Sequence, residues 1–124
     1  MAGLLSGGAE DRMSAALLCA EPSALRDGVL ATLTRDGDAF LRATAASVAA
    51  HRACRGDDFA QRLVRGLVED PSIIVSRAIA REVRTHPSEE MLGALSTWTT
   101  HKSGSVRTSI NRARRSLDGG WTHE

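Results

Sequence analysis

The sequence predicts an all-α protein, an α-solenoid of about three helical hairpins preceded by an N-terminal capping helix. Three observations carry this. A phrase consisting of a leucine, an acidic turn and a run of helix formers occurs at 33–45 and again at 67–79, with a looser copy at 98–110. Offsets of 34 and 31 residues bring five apolar columns into agreement: Val29, Leu63 and Ala94; Leu30, Val64 and Leu95; Leu33, Leu67 and Trp98; Leu41, Val75 and Val106; Ala45, Ile79 and Ile110. Within each copy the apolar positions follow helical spacing, and no alternating β-branched run of strand length occurs. A helical hairpin cannot bury its apolar face alone, whereas stacked copies cover one another and share a continuous core.

The elements follow in order. Residues 1–22 hold a helix near 9–20 that leads the array and is expected to cap it. The first hairpin, 23–56, pairs helices near 23–35 and 39–54 across Asp36-Gly-Asp38. The second, 57–86, pairs 57–69 with 73–85 across Asp70-Pro-Ser72. Asp70 is the expected N-cap of that second helix, with Pro71 at the tolerated first-turn position. The third, 87–117, pairs 88–100 with 105–117 across Lys102-Ser-Gly-Ser105. Ser88 before Glu89 and Glu90 marks a helix start, since carboxylates favour the positive end of the helix dipole. Residues 118–124 read as a tail.

The second helices carry a further pattern. Leu41-Arg42 followed by small residues, after the acidic turn Asp36-Gly-Asp38, resembles the HEAT-repeat signature of an acidic turn, then Val-Arg, then small residues. Val106-Arg107 repeats the pair, and Val75-Ser76 keeps only the apolar member. The short periods are similar to the bacterial phycobilisome-lyase type of HEAT-like repeat, and the resemblance covers 23–117. It implies that the second helices line the concave surface of the array. It implies no chemistry, because HEAT-like scaffolds serve many functions.

Composition narrows the function classes. The 124 residues are 42% hydrophobic and 25% charged, which describes a globular chain of one domain, 23–117, with its flanking segments. No apolar run approaches the roughly 20 residues that cross a bilayer, and the first residues lack the basic region of a secretory signal. A cytoplasmic location without membrane contact is expected. Cys19 and Cys54, the two cysteines, read as reduced, buried hydrophobes.

His51 and Cys54 share a helix face three residues apart, but no second His/Cys pair completes a four-ligand metal site. His86 and His101 read as capping or surface groups. No nucleophile motif, Walker loop or dinucleotide glycine pattern occurs. The expectation is therefore a protein that is not an enzyme and uses no cofactor and no metal.

The informative feature is where the charge sits. The second helices hold ten arginines against one acid, Glu82, while the first helices and turns hold five bases against nine acids. With the concave face that the resemblance implies, this places an arginine-rich groove on an acidic back. Arg77, Arg81 and Arg84 lie along one face of the middle second helix, away from Val75, Ile79 and Val83. Arg42, Arg107 and Arg114 extend the surface on the flanking helices. These six are the expected partner-binding residues. The expected partner is an acidic protein segment held by guanidinium forks. The alternative is nucleic acid held by its duplex backbone, since four aromatics are too few for base-stacking platforms. A three-copy array also leaves ends through which it would dimerise or dock into a larger assembly.

Overall fold

The structure, a computed structural model, describes residues 8–21 and 23–118. The described residues form seven α-helices and one 3₁₀ turn, with no strand among them. They are α1 (Ala9–Leu18), α2 (Ala24–Leu33), α3 (Ala39–Ala53), α4 (Asp58–Gly66), α5 (Ile73–Thr85), α6 (Glu89–Ala94), the 3₁₀ turn η1 (Ser96–Thr100) and α7 (Gly104–Asp118). The leading helix and the helix pairs fall where the periodicity predicts. The tail, apart from Asp118, and residues 1–7 of the leading segment lie outside the described residues.

Local chemistry sets the helix ends. Ser23, Asp38, Asp57 and Ser88 are N-caps whose side chains accept backbone N–H bonds from the first turn, as from Ala60 to Asp57 at 3.0 Å. α3 ends in a Schellman motif at Gly56, φ +92°, with Gly56 N–H donating to the Ala53 carbonyl and Asp57 N–H to that of Arg52. Glycine adopts that left-handed conformation without the penalty a side chain would bring.

Two local expectations change. The N-cap of α5 is Ser72 rather than Asp70. Asp70 accepts the Ser72 N–H at 2.9 Å and gives the rest of its carboxylate to Arg42, so it holds the turn together instead of opening the helix. The single helix at 88–100 is two pieces that break at Leu95. Ser96-Thr-Trp-Thr-Thr100 is a run of weak helix formers. Thr99 and Thr100 donate their hydroxyls to carbonyls three residues back, which suits the tighter 3₁₀ turn. Trp98 then turns inward, is buried, and donates its indole N–H to the Val68 carbonyl at 3.2 Å.

α1 packs on α3, α3 on α5 and α5 on α7, so these four helices form one contiguous layer. α2 packs on α1 and α3, α4 on α3, and α6 with η1 on α7. Four of the five apolar columns are buried in every copy. In the first column Val29 is buried, while Leu63 and Ala94 are half-buried against the core. Alanines dominate the α3 side of the core, with Ala45, Ala46, Ala49, Ala50 and Ala53 fully buried, which allows close helix approach without aromatics.

Candidate interaction face

Arginines divide by what they touch. Arg42 Nε donates to Asp70 Oδ2 at 2.9 Å and its Nη1 to the Asp36 carbonyl at 2.9 Å, both groups being largely buried. Arg107 reaches the His101 carbonyl in the equivalent way, six residues back across its own turn. Burial would raise the Asp70 carboxyl, but the Arg42 fork and the Ser72 N–H outweigh it and hold it below the usual carboxylate range. Arg12 pairs with Asp36 at 3.2 Å, and Arg77 Nε donates to Ser105 Oγ at 3.2 Å. Arg12, Arg42 and Arg77 each come from one helix of the α1–α3–α5 layer and reach the turn or second-helix start of the next hairpin. Arg12 and Arg42 meet aspartates, whereas Arg77 meets Ser105 in the first turn of α7, a neutral partner that does not cancel its charge.

Arg52, one of the ten second-helix arginines, is 3% exposed. It bridges Asp27 and Asp57, each at 2.7 Å, and donates to the Cys19 carbonyl. Burial would raise the Asp57 carboxyl, but the Ala60 N–H and the Arg52 guanidinium hold it below the ordinary value. The separation of charge signs between helix classes is thus partly structural. Arg42 and Arg52 draw their carboxylates from first helices and turns.

Arg81, Arg84, Arg112, Arg114 and Arg115 differ. All five are exposed, and none makes a side-chain hydrogen bond or ion pair to the described residues. Arg84, Arg112 and Arg115 line a recess of about 380 Å³ between α5 and α7 with Ser116 and, among the described residues, no acid. Arg114 stands apart, in a recess of about 230 Å³ that also contains Glu89 and Asp118. The structure therefore brings Arg81 and Arg84 together on α5 with Arg77, and separates Arg42, Arg107 and Arg114 from them by use or by position. Arg112 and Arg115 complete the basic recess but were not singled out by sequence. Their signal is the α7 pattern Val106, Ile110 and Ala113, which is buried and leaves 112 and 115 exposed.

Beside the basic α5 edge lies a groove of about 450 Å³ across α1, α3 and α5. Met13, Leu17, Phe40 and Ile74 contribute its larger apolar surfaces, and Arg77 and Arg81 stand on its α5 side. Leu17 is 64% and Phe40 67% exposed.

The polar residues that could imitate catalytic groups have structural partners. His51 Nδ1 lies 3.4 Å from Glu82, and Arg55 is 3.2 Å from His86 Nε2. Burial, with Lys102 and Arg107 nearby, lowers the His101 pKa, which suits the neutral ring whose Nδ1 accepts the Ser103 N–H. Burial, then the Glu82 charge, pushes the half-buried Cys54 thiol up to about 11, so it stays protonated at neutral pH. Both cysteines are free. No described helix is long and apolar enough to cross a membrane. No family model, no curated protein and no solved structure matches the chain.

Proposed function

We propose that the chain is a non-catalytic α-solenoid of three HEAT-like hairpins whose α5–α7 face grips an acidic segment of a partner protein in the cytoplasm. The observation that carries this reading is the gathering of Arg84, Arg112 and Arg115 in one recess, with Arg81 one turn before Arg84 on α5, none of them partnered among the described residues, in a chain where Arg42 and Arg52 are paired. Like charges brought together repel, and an anionic ligand that accepts guanidinium forks relieves that repulsion. The non-catalytic part rests on how the acids and histidines are used, since Asp57, Asp70, His51 and His101 all serve caps, staples or ion pairs. Two free thiols suit a reducing compartment. The apolar groove beside the arginines favours protein over a nucleic-acid backbone, which has no apolar side chains to place against Leu17 and Phe40.

A fluorescence-anisotropy titration tests this, with a glutamate-rich peptide and a 20-base-pair duplex as probes across a salt series. The peptide should bind saturably. Changing Arg81, Arg84 and Arg112 together to Glu should weaken it at least tenfold while the melting temperature holds. Tighter binding of the duplex, with a steep linear fall of log affinity against log salt, would transfer the same arginines to nucleic acid. Unchanged peptide affinity in the triple variant would defeat the reading.

A further inference from the structure

The apolar groove and the arginines are two halves of one surface that share α5. Seven residues separate Arg77 from Arg84, about 10 Å along the helix axis. On the α3 side of α5, Ile74 and Ala78 join Met13, Leu17 and Phe40 in the groove. On the α7 side, Arg84 joins Arg112 and Arg115. A ligand lying alongside α5 would meet apolar surface along one flank and exposed positive charge along the other.

From this juxtaposition, and resting on the protein-binding reading above, we propose that the partner segment is an amphipathic α-helix. Its apolar stripe seats between α1, α3 and α5, and its acidic flank lies against Arg77, Arg81 and Arg84. Dimensions fit. Along α5 the groove runs from Ile74 to Arg81, seven residues or about 10 Å, which is two turns of an α-helix laid alongside it. Apolar side chains at i, i+4 and i+7 span that length on one face. Small side chains, among them Ala43 and Ser47, also line the groove and let a helix approach closely. Phe40 and Leu17, each exposed by more than half, supply the apolar area that docking would cover. Charge complementarity selects the occupant: a basic or neutral amphipathic helix would leave Arg77 and Arg81 beside apolar surface without a counter-charge, which docking would desolvate at a cost.

Three synthetic 18-residue peptides test the proposal by fluorescence anisotropy at about physiological ionic strength. One carries leucine at i, i+4, i+7 and i+11 with glutamate along one flank. The second has the same composition scrambled so that no stripe forms. The third replaces each glutamate of the first by lysine. The first should bind at least tenfold more tightly than the other two. Phe40→Asp and Leu17→Asp should each weaken it about tenfold or more without altering the circular-dichroism melt, and should leave the scrambled peptide unaffected. Equal binding of striped and scrambled peptides, or unchanged binding in both groove variants, overturns the helix proposal. The arginine reading survives that result if Arg81→Glu with Arg84→Glu still removes binding, and falls with it if binding ignores those changes or never occurs. A striped peptide bearing a photo-reactive phenylalanine at i+4 should cross-link to α1 or α3; cross-linking confined to α7 would also overturn the proposal.

Discussion

Arg42 and Arg81 stand on adjacent helices of one layer and do opposite work. Arg42 is largely buried, forked onto Asp70 from the following hairpin, and bonded to a carbonyl of its own turn. Arg81 is exposed and bonded to nothing among the described residues. The difference comes from what the chain places opposite each guanidinium. An aspartate turn faces Arg42, while the surface around Arg77 and Arg81 has serine and apolar groups. One kind of arginine is therefore part of the folding energetics, and the other is available to a ligand.

Substitutions should separate the two kinds, and the largest effect belongs to the most buried. Arg52→Ala leaves Asp27 and Asp57 without their shared cation and should cost about 3–5 kcal/mol, the usual range for breaking a buried ion pair, read by urea denaturation. Affinity for the glutamate-rich peptide should not change in molecules that remain folded. A loss under about 0.5 kcal/mol would place Arg52 with the surface arginines.

The next effect does not depend on charge. Leu67 is buried in the middle hairpin, in the column it shares with Leu33 and Trp98, and Leu67→Ala should cost roughly 2–5 kcal/mol by the same measurement. A near-neutral result would break the alignment of the three copies.

Arg42→Ala should cost less, about 1–3 kcal/mol, because it leaves the mostly buried Asp70 carboxylate short of a donor. It should also change the acid limb of stability. Asp57 and Asp70 bind protons less readily folded than unfolded. The stability they contribute is complete above the unfolded carboxylate value near ~3.9 and is lost as pH falls through their lower folded values. The wild-type chain should therefore destabilise steadily below about pH 4. Arg42→Ala should flatten that decline, and an unchanged slope would mean that Asp70 is not held down by Arg42.

The smallest stability effect is expected from Arg81→Glu with Arg84→Glu. Exposed substitutions of this kind stay within about 0.5 kcal/mol per site, so the pair should fold as the wild type does while losing peptide affinity. If the pair destabilised the chain as much as Arg42→Ala does, the division between structural and available arginines would collapse.

Much of the fold was legible because helix information is local. Apolar side chains at i, i+3 and i+4 mark a face, and Ser23, Asp38, Asp57 and Ser88 mark starts within one turn of where they act. Repetition then supplied the columns, and their burial in the layered packing follows from the same periodicity. The break at Leu95 was less legible, because the apolar spacing continues through it while the threonines and the pull of Trp98 toward Val68 do not favour a regular helix.

The candidate site was legible only as a list of arginines on helix faces. Sequence by itself determined that Arg77, Arg81 and Arg84 lie opposite Val75, Ile79 and Val83, because that relation is set within one helix. Only the tertiary structure decided that Arg42 and Arg52 are spoken for, that Arg114 stands apart, and that Phe40 and Leu17 border the α5 arginines. Their partners lie 28 residues away for Arg42–Asp70 and 25 for Arg52–Asp27, and the groove draws on three separate helices. Periodicity gives the direction of a side chain from its own helix axis. What it meets there depends on how the helices pack.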